Sequence, residues 1–292
     1  MNSNVREIIR RHSHPLSPQP TDVPPRLRSL GPVDTVLFDV YGTLVISGSG
    51  DIGGGDLSAR STALAEALKA VDVRLDDSPA AAMKQWDQVI QDHHRRAHEA
   101  GIEFPEVDIL QVWEEALALW TRKGSVSDRS VDTAVLAVEF EVRVNPVWPM
   151  PGMVSTLKSL RETGKRLGVI SNAQFFTLEI FPALVQQTVN MLGFEPDLQF
   201  YSYCYGQAKP GPAMYRMAAE ELEKRGTSPE RTLYVGNDMR NDIAPAARCG
   251  FRTALFAGDA RSLRLRPGEP LCEGVEADIV VKELADLLHC LG

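Results

Sequence analysis

The sequence predicts an α/β protein: a doubly wound parallel sheet with an inserted α-helical module. Three observations carry this. Downstream of residue 153, short apolar runs of strand length alternate with amphipathic helical stretches, the pattern of a parallel sheet with right-handed crossovers. One more apolar run, Val36-Leu37-Phe38, stands far upstream of them. Between the two, the chain shows helical periodicity throughout and no strand. The expected organisation is an arm of residues 1–32, a core of 33–49 and 145–292, and a helical module of 50–144. At 292 residues with 43% hydrophobic side chains, the chain can bury a substantial core.

Residues 1–32 are rich in Pro, Ser and Arg. Pro15, Pro18, Pro20, Pro24 and Pro25 break any long helix, so a short helix over 5–11 followed by a mobile or loosely docked arm is expected. Residues 33–39 read as a strand buried on both faces. Residues 47–56 hold five glycines but lack a G-K-[ST] ending, so they read as a hinge or flap rather than a phosphate loop. Four helical stripes follow: Leu64, Ala67, Leu68 and Val71; then Met83, Trp86, Val89, Ile90 and Ala97, closing at Gly101; then Leu110, Trp113, Leu117 and Trp120; then Val131, Val135, Val138 and Val142, with Ser127 or Asp128 as N-cap. Pro146, Pro149, Pro151 and Gly152 mark the return to the core. Beyond them lie a helix over 153–162, a strand over 166–170, a helical stretch, a strand over 199–205, a helix over 212–225, a strand over 231–235, a helix over 242–249, and strands over 252–256 and 278–280. Tyr201, Tyr203 and Tyr205 alternate and are expected on one strand face.

In open parallel sheets, ligands bind beyond the carboxyl ends of the strands. Asp39 follows the first run, and Ser171 and Asn172 follow Gly168-Val169-Ile170. Lys209 lies beyond 199–205, while Gly236, Asn237 and Asp238 follow Leu233-Tyr234-Val235, with Asp242 four residues on. Such a set can hold a nucleophile, a divalent cation and an anionic group together. Taken singly, Asp39 is an ordinary cap, Lys209 a solvated lysine, and Asp238 and Asp242 caps of the next helix. Their joint placement at strand ends is what argues for a site.

These residues carry a resemblance. Phe38-Asp39-Val40-Tyr41-Gly42-Thr43-Leu44 resembles the first motif of the haloacid dehalogenase-like superfamily. Ser171-Asn172, Lys209-Pro210 and residues 236–242 fall where its second, third and fourth motifs stand, and the helical insert resembles its cap. The resemblance covers about residues 33–290. It implies a Rossmann-like core and Asp39 as the nucleophile of a covalent aspartyl intermediate. It implies that Ser171, Asn172 and Lys209 hold the transferring group, with Tyr41 and Gly42 beside the substrate. Thr43 would orient Asp39 by a hydrogen bond. Mg²⁺ would be held by Asp39, the Tyr41 carbonyl and Asp238, with Asp242 bound directly or through water.

One position departs from the superfamily's phosphatases, which carry a second Asp two residues after the nucleophile. Here it is Tyr41, and an unperturbed tyrosine, with a pKa of about 10, is a poor general acid. The Asp-x-Tyr-Gly-Thr form resembles the 2-haloacid dehalogenases, whose halide needs no proton. The fourth motif, with Asp238 and Asp242, resembles the Mg²⁺-dependent phosphohydrolases instead. The reading adopted is a Mg²⁺-dependent phosphohydrolase-like enzyme on a small phosphorylated, anionic metabolite. The alternatives are a 2-haloacid dehalogenase and a catalytically weak protein that binds a phosphorylated ligand.

The remaining features exclude more than they assign. A net charge of −8 argues against nucleic acid or an anionic membrane surface as partner. No apolar run approaches a membrane span, and no signal-peptide core follows Arg6, Arg10 and Arg11. Cys204, Cys249, Cys272 and Cys290 form no C-x-x-C pair and read as free thiols, so a cytoplasmic location is expected. His94 and His98 share a helix face, but without a third ligand they read as part of a polar helix face rather than a metal site. A homodimer through the cap or the arm is compatible with everything above.

Overall fold

The computed structural model describes residues 2–49, 56–126 and 130–291. In chain order the elements are α1 (Asn2–His12), β1 (Thr35–Phe38), β2 (Val45–Ser47), α2 (Leu57–Ala70), α3 (Pro79–Glu99), α4 (Ile109–Arg122) and α5 (Thr133–Val144). Next come β3 (Val147–Pro149), α6 (Met153–Glu162), β4 (Arg166–Ser171), α7 (Thr177–Val185), β5 (Phe194–Tyr201), α8 (Ser202–Tyr205) and α9 (Ala213–Lys224). The chain ends with β6 (Thr232–Gly236), α10 (Ala244–Arg248), β7 (Arg252–Phe256), β8 (Ile279–Val281) and α11 (Asp286–Cys290).

The predicted parallel sheet is present, in the order β5-β4-β1-β6-β7-β8. Val36, Leu37 and Phe38 are fully buried because β1 is central and covered on both faces. Phe38 stands level with Val169 of β4 and Val235 of β6. The chain leaves β1 towards β4 on one side and later returns to β6 on the other. That reversal opens a crevice at the carboxyl end of β1. Asp39, Ser171 and Asn237 therefore emerge side by side.

Helices α2 to α5 form their own apolar cluster around Leu64, Met83, Trp86, Trp113 and Phe140. Trp113 is its hub, with ring centroids 5.4 Å from Trp86, 5.2 Å from Phe140 and 6.3 Å from Trp120. Where the chain leaves and re-enters the core, β2 and β3 pair antiparallel, Ile46 opposite Trp148. This ribbon was not expected, because its strands are three residues long and one ends in Pro149. The N-cap of α5 is Asp132, whose Oδ1 accepts from Ala134 N at 3.0 Å and Val135 N at 3.2 Å. The expected caps Ser127 and Asp128 lie outside the described residues, as do glycines 50 and 53–55 of the Gly-rich stretch.

Two expectations are corrected. The N-terminal arm, expected to be mobile or loosely docked, is packed closely against the rest of the chain. Val5, Ile8 and Ile9, at helical spacing, are each 2% exposed and pack with α5 and α7. Arg6 bonds Glu179 at 2.5 Å and Arg11 bonds Glu139 at 2.6 Å. The proline-rich stretch then lays its backbone along the core. Thr21 donates to Ala257 O at 2.6 Å, and Arg26 exchanges backbone bonds with Val280, covering the edge strand β8. Secondly, Tyr201, Tyr203 and Tyr205 do not share a strand face. The strand stops at Tyr201, and residues 202–205 make one helical turn closed by Gly206 at φ 63°. No helix among the described residues is long and apolar enough to cross a membrane.

Candidate active site

Asp39 leaves β1 with its N–H still bonded to Val235 O at 2.9 Å, so its position is set by the sheet. The chain then turns sharply: Leu44 N and Val45 N both donate to Val40 O at 2.9 Å. Gly42 makes the turn possible at φ +81°, and a Cβ there would sit 2.5 Å from Ser262 Cβ and 2.7 Å from Asn237 Nδ2. Thr43 does not orient Asp39. Its Oγ1 donates to Asn237 Oδ1 at 3.0 Å, tying the first motif to the loop after β6.

Two predicted residues converge on Asp39, and a third supports one of them. Ser171 Oγ, at the end of β4, donates to Asp39 Oδ1 at 2.8 Å. Lys209 Nζ donates to the same oxygen at 2.7 Å and to Asp242 Oδ1 at 2.6 Å. Asn172 acts one step back, holding the Lys209 backbone by accepting its N–H at 2.7 Å and donating to its carbonyl at 3.2 Å. A single π-helical turn, Met239–Ile243, swings Asp242 back under β6, where its Oδ2 accepts Asn237 N at 3.0 Å and Asp238 N at 2.9 Å. Gly236 leaves the room for that carboxylate, which any Cβ would strike.

Burial governs the electrostatics. Asp242 is pushed up to about 6, first by desolvation, with Lys209 pulling it back and Asp39 and Asp238 raising it further. Burial alone would lower Lys209, but the Asp242 and Asp39 carboxylates outweigh it and hold the ammonium above its ordinary value. Tyr41 is 7% exposed, and its hydroxyl bonds Thr177 Oγ1 at 2.9 Å. Desolvation, with Glu141 and Asp39 nearby, raises it further, so it is no acid at neutral pH.

The expected Mg²⁺ ligands are not arranged for a cation. Both oxygens of Asp242 are saturated by Lys209, Tyr234 and backbone N–H groups. Asp238 caps the π turn and is clamped by Arg266, Nε to Oδ1 at 3.1 Å and Nη2 to Oδ2 at 2.7 Å. Among the described residues, no group of three or more His, Cys, Asp or Glu is placed to hold a metal.

A cavity of about 450 Å³ opens above Asp39, Asn172, Lys209, Asp238 and Asp242, walled on the far side by α3, α5 and the segment before α4. His94 lines it, whereas His98 Nδ1 lies 2.9 Å from Ile102 O. Four residues went unnoticed in the sequence. Tyr234 OH contacts Lys209 at 3.2 Å and Asp242 at 3.0 Å, yet within the strand it reads as core. Arg266 stands 28 residues from its partner. Glu106 and Gln174 join the helical insert to the second-motif loop and to the turn after β5: Gln174 Nε2 donates to Val107 O at 2.9 Å, and Glu106 Oε2 accepts from Ser202 at 2.7 Å. Burial raises the Glu106 carboxyl. No local sequence signal marks any of the four.

A family profile described as haloacid dehalogenase-like hydrolase matches residues 33–250. A glyceraldehyde 3-phosphate phosphatase of Methanopyrus kandleri is 24% identical over 200 residues, covering 64% of this chain and 82% of that protein. Phosphoglycolate phosphatase 1 of Pseudomonas aeruginosa is 31% identical over 145 residues, covering 48% of this chain and 46% of that protein. Among solved structures, a 2-haloacid dehalogenase from Pseudomonas syringae pv. Tomato DC3000 superposes with a TM-score of 0.54 at 19% identity, over 89% of this chain and 98% of that one. That last likeness is one of fold.

Proposed function

Because the chain belongs to the haloacid dehalogenase-like hydrolases, we propose that it hydrolyses phosphate monoesters of a small metabolite, with Asp39 as the nucleophile. One observation carries this reading. Ser171 and Lys209 both hold Asp39 through Oδ1, while Oδ2 takes no hydrogen bond from the described residues. An oriented carboxylate with one oxygen uncommitted is a nucleophile prepared for in-line attack. The phosphatase names of the relatives support the choice of phosphorus as the atom attacked.

In this reading Oδ2 attacks phosphorus, the phosphorus–ester oxygen bond breaks, and the alcohol leaves, taking its proton from water. Water then attacks the aspartyl phosphate at phosphorus and gives up a proton. Inorganic phosphate departs, and the Asp39 carboxylate is regenerated. Throughout, the Lys209 ammonium and the Ser171 hydroxyl stay at Oδ1 and offset the charge gathering beside it. A Mg²⁺ ion would have to draw Asp238 away from Arg266, so no step is assigned to it.

Tyr41 favours a second reading. Attack of Oδ2 on the carbon of a 2-haloacid expels halide, which needs no acid, and the buried tyrosine offers none. A panel of aryl phosphates, alkyl phosphates and 2-haloacids, scored separately for phosphate and halide release, separates the two. Phosphate release, strongest with good leaving groups and abolished by Asp39→Asn, is the expected result. Tyr41→Asp should raise alkyl turnover relative to aryl by about 10²-fold, the lower end of the range of about 10²–10⁴ typical of general acid catalysis. Halide release without phosphate release would replace the first reading by the second.

A further inference from the structure

The walls of the cavity describe the part of the substrate that does not react. A volume of about 450 Å³ falls within the range of about 300–1,000 Å³ found for small-molecule sites, enough to take a single ring. The far wall mixes apolar and polar side chains: Ile90 from α3 and Ile109 at the start of α4 stand beside Asp87 and His94, with Trp86, Trp113 and the buried Phe140 behind them. The three aromatic rings pack on one another, with centroids 5.2–5.6 Å apart, so the wall is stiff.

Among the described lining residues the basic side chains are Arg60, His94 and Lys209, and none brings an uncompensated positive charge to a second anionic group, although Arg60 Nε has no hydrogen-bond partner. Lys209 is committed to Asp39 and Asp242. Arg60 is committed to Asp87, Nη2 to Oδ1 at 2.5 Å and Nη1 to Oδ2 at 3.3 Å, and lies over the Trp86 ring at 5.4 Å. Burial, with His98 and His93 alongside, lowers His94 below its ordinary 6.5, so it is neutral at pH 7. The same wall adds the carboxylates of Glu106 and Glu141. A carboxylate on the substrate body would be desolvated there without a counter-charge, which is strongly unfavourable.

We propose that the substrate is a phosphate monoester of an uncharged, apolar, ring-sized alcohol, with no second anionic group. The small phosphorylated hydroxy acids are thereby disfavoured. The inference rests on the phosphohydrolase reading for the reacting end alone. The wall makes its own prediction about binding.

The test therefore separates binding from chemistry. Binding is read by calorimetry at pH 7 with phosphonates, whose P–C bond is not hydrolysed. Benzylphosphonate should bind at least tenfold more tightly than phosphonoacetate. Ile90→Lys, at a half-buried position on the wall, should improve 4-carboxybenzylphosphonate relative to benzylphosphonate at least tenfold by supplying the missing cation. Turnover is read as phosphate release from phenyl phosphate against phosphoglycolate, with a larger kcat/KM expected for the former. Tighter or equal binding of phosphonoacetate, failure of both phosphonates to bind, or no change of preference in Ile90→Lys would overturn the inference. Preferred binding of benzylphosphonate with no phosphate released from any ester would uphold the wall and sink the phosphohydrolase reading instead.

Discussion

Lys209 gives the sharpest test of how this site is held together. Its Nζ sits between Asp39 Oδ1 at 2.7 Å and Asp242 Oδ1 at 2.6 Å, and its side chain is 3% exposed. Lys209→Met keeps the volume and removes the charge, leaving two buried carboxylates facing each other. Breaking a buried ion pair from one side costs about 3–5 kcal/mol. Part of that is relieved by protonation. Asp242 already titrates near 6, and each further unit its pKa must rise costs about 1.4 kcal/mol. The expected loss at pH 7 is therefore about 3 kcal/mol, shrinking as the pH falls towards 5. Asp242→Asn added to Lys209→Met removes the stranded charge. Its amide oxygen can still accept Asn237 N and Asp238 N, so about 2 kcal/mol should return. Urea unfolding at several pH values reads stability, and phosphate release from p-nitrophenyl phosphate reads function. The rate should fall about 10²–10³-fold in both variants, as for loss of a preorganised charge-stabilising donor. A single-variant cost below about 1 kcal/mol, or a double variant recovering no stability, would refute the buried-pair account. Recovery of rate in the double variant would refute the part given to Lys209 in the chemistry.

Two further expectations follow from individual contacts. Arg266→Ala frees the Asp238 carboxylate from its clamp, so Mg²⁺ affinity by calorimetry should rise at least tenfold over the wild type; an unchanged affinity would show that the ion pair does not limit the cation. Glu106 has a raised pKa, so the folded protein keeps this proton at pH values where the unfolded chain, near 4.5, has lost it. The stability this contributes is full below 4.5 and is lost as the pH rises through the raised value. Glu106→Gln should therefore match the wild type at pH 4 and exceed it in melting temperature at pH 8, and equal pH slopes for the two proteins would contradict the assignment.

The sequence by itself determined the parts that follow from local pattern. Val36-Leu37-Phe38 reads as a doubly buried strand because burial on both faces demands apolar residues at every position. Asp39, Ser171 and Lys209 could be brought together on paper because, once the strands are parallel, their carboxyl ends must lie at one edge of the sheet. A short helix over 5–11 is expected, but whether it docks depends on α5 and α7 offering an apolar surface, which the sequence alone does not reveal. The tertiary structure alone decided which partner each polar side chain takes. Thr43 faces Asn237 rather than Asp39, Asp238 is clamped by Arg266, and Tyr41 turns its hydroxyl to Thr177. These choices are made over distances of a few ångströms between residues up to about two hundred positions apart. A hydrogen bond or ion pair distinguishes such alternatives only through the geometry that packing imposes, and no residue-type pattern along the chain records that geometry.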